Sequence, residues 1–151
     1  MNYFLNFHIR ELFTTCSDEE ILTCVKTFRI DNLLCLLAVI DDIRSYLGVP
    51  ITITSAFRSL EHNKKVGGVS SSQHMLGEAI DFVVDKTIPF NSAVEIIKSY
   101  LSKSAFASRL GQIIIYPNFI HMALRTPSHP KLIYYDKRKL EESAKSNLHD
   151  Y

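Results

Sequence analysis

Three of the five glycines in this 151-residue chain, Gly67, Gly68 and Gly77, fall within eleven residues. Glycine reaches backbone conformations closed to other residues, so the cluster marks a sharply bent segment with little side-chain bulk. The apolar period changes across it. Before the bend, Leu33, Leu34, Leu37, Ile40, Ile43 and Leu47 recur at helical spacing between Asp31 and Leu47. After it, the stretch from Ala79 to Val84 alternates as a strand does. Ile80, Phe82 and Val84 point one way, and Ala79, Asp81 and Val83 the other. Such a chain has to lay helices on a sheet across a glycine-rich bend.

The remaining elements follow from local signals. Asp31 is the expected cap of the long helix, with Gly48 and Pro50 as its stop. Ser17 and Glu20 form a capping box for an earlier helix over residues 17 to 28. The β-branched run Ile51-Thr52-Ile53-Thr54 reads as a strand, and Lys64 to Gln73 as a Gly/Ser-rich loop. Ser92-Ala93-Val94-Glu95 reads as a second capping box, opening a helix to about Leu101. Gln112 to Tyr116 and Phe119 to Leu124 are apolar strands, and Pro117-Asn118 between them is turn chemistry, which predicts an antiparallel hairpin. The expected class is α+β: a small, mostly antiparallel sheet with helices packed on it. We expect one domain over residues 1–127, then a charged C-terminal tail over 128–151, either a surface helix or disordered.

Bulk properties exclude several function classes. Net charge is +1, so nothing marks nucleic acid or an anionic membrane as the partner. No uncharged stretch reaches 18 residues, which argues against a membrane span. The N-terminus lacks the basic leader and apolar core of a signal peptide. Cys16, Cys24 and Cys35 are odd in number and match no zinc-knuckle or redox spacing. Cys35, within an apolar run, reads as a small buried hydrophobe.

Chemistry concentrates in Ser72-Gln73-His74-Met75-Leu76-Gly77-Glu78-Ala79-Ile80-Asp81, the pattern S-x-H-x-x-G-x-A-x-D. It sets an imidazole on a loop and a carboxylate on the following strand, with Gly77 to bend the chain between them. Zinc takes nitrogen and oxygen ligands tetrahedrally, and three protein ligands leave one position for water or substrate. His121, on a face of the last strand shared with Phe119 and Ala123, is the natural third ligand. Taken singly, each residue has an ordinary explanation: a loop histidine, a solvated carboxylate, a satisfied core histidine. Their joint placement beside the glycine-rich loop favours a Zn2+ site.

The same residues resemble the zinc D-Ala-D-Ala carboxypeptidases and related peptidoglycan peptidases, whose fold is shared with the hedgehog signalling domain. The resemblance runs from about Phe7 to Leu124. It includes Ile53-Thr54-Ser55-Ala56-Phe57-Arg58-Ser59, similar to the family's S-G-Y-R-S segment, then Asn63 and Val66-Gly67-Gly68-Val69, the ten-residue run, and the strand carrying His121. It implies zinc on His74, Asp81 and His121, and Arg58 in the active site, clamping a substrate carboxylate or steadying an oxyanion. Gln112 corresponds to a family position near the site, while Ser72 either bonds near the metal or shapes the loop. Tyr116 is a candidate donor to an oxyanion. The implied activity is hydrolysis of a peptidoglycan stem peptide, carboxypeptidase or endopeptidase in type, by a monomer. A wall hydrolase without a leader needs a separate release route, as phage or prophage enzymes do.

One family feature is missing. Many members carry Asp or Glu three residues before the last histidine as general base; here that offset holds Asn118, and no acidic residue occurs between Glu95 and Asp136. An amide orients water but takes no proton from it at neutral pH. Three alternatives stay open: a carboxylate remote in sequence, such as Glu61 or Asp85, folds into the site; the metal and Arg58 suffice for slow turnover; or the chain is a non-catalytic zinc-containing module that binds peptidoglycan or protein.

Overall fold

The computed structural model describes residues 4–139. In chain order its elements are α1 (Asp18–Lys26), α2 (Arg29–Leu47), β1 (Ile51–Ser55), α3 (Leu60–Lys65), β2 (Ala79–Val84), α4 (Phe90–Lys103), β3 (Leu110–Ile115), β4 (Ile120–Leu124) and β5 (Ile133–Asp136), with 3-10 turns at Ile9–Phe13, Gln73–Leu76 and Ala105–Arg109. The five strands form one sheet in the order β1-β2-β4-β3-β5. All neighbours are antiparallel except β3 and β5. The α+β expectation holds, as does the hairpin of β3 and β4. No helix among the described residues is long and apolar enough to cross a membrane.

Strand alternation divides the sheet. Ile51, Ile53, Ile80, Phe82, Ile113, Ile115, Ile120 and Met122 turn to one face and are buried against α2 and α4. From α2 come Leu33, Leu36, Leu37, Val39, Ile40 and Ile43; from α4 come Ala93, Val94, Ile97 and Tyr100. The buried arc of α2 is wider than its expected stripe, because this helix touches α1 and α4 as well as β2 and β4. Leu34 and Leu47, expected on the core stripe, are only partly buried.

Several boundaries differ from expectation for local reasons. Ser17 and Glu20 do make the capping box of α1. Helix α2, however, starts two residues ahead of Asp31, directly after Phe28, whose left-handed φ of 59° turns the chain out of α1; Asp31 lies in the first turn. Gly48 ends it at φ 74° as expected. Helix α4 begins at Phe90, not at a Ser92 capping box: Pro89, with φ already near helical values, precedes it and accepts the Ala93 N–H, and Glu95 pairs with Lys98 instead. Lys64 and Lys65 belong to the short helix α3, capped by Ser59 accepting from the His62 N–H. Of its six residues only Asn63 is buried, so it leaves no apolar period to read. Cys35 is half-buried with Arg109 Nη1 3.3 Å from its sulfur, whereas Cys24 is the fully buried thiol, its pKa pushed up to about 11 by burial.

The tail expectation is also corrected. Residues 133–136 form β5 at the sheet edge, so the sheet extends past residue 127. Tyr134 and Asp136 turn towards α4. Lys98 sits over the Tyr134 ring, and Asp136 holds Arg138, which reaches Asn91. The surface-helix or disordered reading of residues 140–151 lies outside the described residues.

Candidate metal centre

Registry between β2 and β4 places Asp81 directly opposite His121. Their side chains emerge on the face away from the helices, since each is flanked along its strand by core residues turned the other way. A bulge in β1 shifts the pairing so that Ser55, one residue late, stands opposite Asp81. The chain then leaves the sheet as Ala56-Phe57-Arg58 and returns through the 3-10 turn carrying His74. The Arg58 N–H donates to the His74 carbonyl at 3.1 Å, tying these loops together. Ser72 accepts from the His74 N–H at 3.3 Å, so its hydroxyl shapes the loop.

Two glycines make that packing possible. Gly77 has φ 67°, and a Cβ there would stand 2.5 Å from the Arg29 carbonyl oxygen, so both conformation and space demand glycine. Gly68 meets a different limit: a Cβ would fall 2.1 Å from Asn63 Oδ1. Asn63 is buried, donates to the Val69 carbonyl at 2.9 Å and accepts from Arg58. The segment containing Asn63, Gly68 and Val69 is thus the mould against which Arg58 is held.

The result is one cluster. Ligand atoms of His74, Asp81 and His121 all lie within 4.8 Å of one another. His121 Nδ1 is 2.6 Å from Asp81 Oδ1, and His74 Nε2 is 3.2 Å from Asp81 Oδ2. The two imidazoles meet edge to face, centroids 5.3 Å apart. Arg58 Nη2 donates to Asp81 Oδ2 at 3.5 Å and its Nε to Ser55 Oγ at 3.1 Å. His74 is only 3% exposed and Asp81 8%. Burial by itself would raise the Asp81 carboxyl; hydrogen bonds from His121 and His74, together with their charge, outweigh it and hold the group well below the usual carboxylate range.

The donor set fits a metal ion for a specific reason. His74 Nδ1 lies 2.7 Å from the Ala56 carbonyl oxygen, which can only accept, so Nδ1 carries a proton. Its other ring nitrogen, Nε2, faces a carboxylate oxygen 3.2 Å away. Two lone pairs at that separation need a cation between them, either a second ring proton or a metal. Ligand atoms on a tetrahedral zinc stand about 3.3 Å apart, close to the His74–Asp81 separation, whereas His121 and Asp81 at 2.6 Å are at hydrogen-bond distance. A bond of this kind to the second ring nitrogen fixes tautomer and ring orientation in metal-ligating histidines.

Gln112 and Tyr116 lie on the metal-cluster face of β3, in the rows on either side of Ile114 and His121, while Asn118 stands apart. Tyr116 stacks on Phe119 at 4.3 Å with Lys137 over its ring, and Gln112 pairs with Ala123 one step along the strand. Asn118 is exposed in the β3–β4 turn and lines a surface depression with Asp85, Thr52 and Lys86; none of the three ligand candidates lines it. None of these three joins the hydrogen bonds of the cluster. Glu61 is likewise exposed, in a depression with Glu19, Glu20 and Arg29, and Glu78 accepts from Gln73. The role of the Ala56 carbonyl had no sequence signal, because every residue offers a carbonyl. Asn63 carried only the hint of being a polar residue beside the glycines.

A model of the peptidase M15 family matches residues 5–123, a span that takes in β1, β2, the three clustered side chains and Arg58. No curated protein matches the chain. A match over most of the sequence, including a His-Asp-His group suited to a cation, means that the chain belongs to the peptidase M15 family of metallopeptidases.

Proposed function

We propose that this protein is a zinc-dependent peptidase that cuts peptidoglycan peptides, with His74, Asp81 and His121 as ligands. The observation that carries it is the placement of His74, whose Nδ1 lies 2.7 Å from the Ala56 carbonyl oxygen while Nε2 faces Asp81 Oδ2 at 3.2 Å. When bound, zinc supplies a polarised carbonyl and a water acidified towards neutral pH. The chain's own contribution is orientation. Asp81 and Ala56 fix the two imidazoles, and Asn63 with Ser55 fixes the Arg58 guanidinium beside them. We take that guanidinium, its side chain 16% exposed, as the group that receives a terminal carboxylate, the carboxypeptidase type, or the oxyanion of a tetrahedral intermediate.

A second function, a zinc-containing binding module without turnover, is favoured by one observation. Among the described residues no carboxylate besides Asp81 joins the cluster, and Asn118 stands in an exposed turn. General-base help is typically worth about 10² to 10⁴-fold, so its lack means slow chemistry or none. Incubating the purified protein with muropeptides, with and without a chelator, separates the two. Chelator-sensitive release of D-alanine or a cut stem peptide is the expected result. Zinc-dependent binding with no product would establish the module, and protein that retains no zinc would overturn both.

A further inference from the structure

One row of side chains crosses the whole sheet on the face of the metal cluster. Registry runs Ser55 (β1), Asp81 (β2), His121 (β4), Ile114 (β3), Tyr135 (β5). A parallel row beside it ends Ala123, Gln112, Ile133. The strand that completes these rows, β5, lies beyond the residues matched by the family model. Its alternate residues are already assigned, since Tyr134 and Asp136 are engaged with Lys98 and Arg138 on the α4 side. Ile133 and Tyr135 therefore turn to the metal face, where they are 41% and 49% exposed, next to half-buried Ile114.

The two ends of the row differ. At the β1 end it is closed: Arg58 bridges Ser55 and Asp81, and its N–H ties the segment after β1 to the turn carrying His74. A substrate whose carboxylate meets Arg58 has its remaining length directed the other way, over His121, Ile114 and Tyr135. Strands stand about 4.8 Å apart, so Tyr135 is about 10 Å from His121, the reach of about three extended residues.

We propose that β5 extends the substrate platform and that Tyr135 is a substrate-binding residue contacting the peptide two to three residues before the scissile bond. This inference rests on the peptidase reading above. It makes the protein a selector for long stem peptides over the bare terminal dipeptide, because only a long substrate reaches the aromatic ring.

The test compares the stem pentapeptide L-Ala-γ-D-Glu-L-Lys-D-Ala-D-Ala with the dipeptide D-Ala-D-Ala, following both turnover and calorimetric binding to the zinc-loaded protein. Tyr135→Ala is expected to weaken pentapeptide binding and kcat/KM about tenfold through KM, and to leave the dipeptide unchanged. Tyr135→Phe should restore most of the loss. Tyr134→Ala, on the same strand but the opposite face, should not discriminate by length. Tyr135-dependent pentapeptide binding without cleavage would keep the platform and remove the peptidase function. Cleavage unaffected by Tyr135→Ala, equal loss for both substrates, or no pentapeptide binding would overturn the platform.

Discussion

Phe82 and Asp81 are neighbours in β2, yet they live in opposite environments. Phe82 is fully buried among aliphatic side chains, with α2 and α4 on that side of the sheet. Asp81 is also buried, but among two imidazoles and a guanidinium. On the helix face, removal of apolar area from water holds the side chains, and any apolar group of the right volume serves. The other face is held by hydrogen bonds of fixed direction between groups that would be costly to leave unpaired. The contrast teaches that stability and chemistry in this sheet are separated by a single residue of register, since a slip of one would exchange them.

Substitution at these two positions tests that division most severely. Phe82→Ala should cost about 3–5 kcal/mol in chemical denaturation while the folded protein still retains zinc. Asp81→Ala should abolish zinc retention, yet cost the metal-free protein less stability than Phe82→Ala. An Asp81→Ala protein that keeps its metal, or one less stable than Phe82→Ala, would erase the separation.

The paired glycines sharpen it on a smaller scale. Gly68→Ala is expected to destabilise by about 1–3 kcal/mol, because the new Cβ forces Asn63 out of place. It should also reduce turnover, as Arg58 loses its support. Gly67→Ala, at φ 69° with nothing within 4 Å, should cost about 1 kcal/mol from backbone strain and leave turnover intact. Equal effects on turnover would show that Asn63 does not position Arg58.

The smallest expected effect concerns the sheet edge. Hydrogen bonds from Arg138 lower the Asp136 carboxyl to about 2, against partial opposition from burial. A carboxyl depressed in the folded state adds stability that is complete above about pH 4 and disappears as pH falls towards 2. Protection of β5 amides in hydrogen exchange should fall across that window, and Asp136→Asn should flatten the dependence. Unchanged protection would mean that Asp136 does not anchor the strand.

Much of this arrangement was legible beforehand, for identifiable reasons. Alternation over Ala79–Val84 gave the direction of Asp81, and the Ser17 capping box marked the start of α1. Signals confined to a few adjacent residues survived folding. Those that competed with a neighbour did not: Pro89 displaced the Ser92 box, and the reversal at Phe28 displaced Asp31 as cap. Strand β5 was hidden because Ile133-Tyr134-Tyr135-Asp136 is short, sits among charged residues and has a partner about twenty residues earlier.

The amino-acid order alone determined which side chains could be ligands and that His74 and Asp81 would meet across a glycine bend, because those constraints are local. Only tertiary structure decided that His121 faces Asp81, that Ala56 sets the proton on His74, and that Arg58 closes one end of the row while Tyr135 lies open at the other. Each of these depends on registry between strands or on contact between separate loops. Such contacts are set by how the whole core packs, and no short stretch of sequence encodes that.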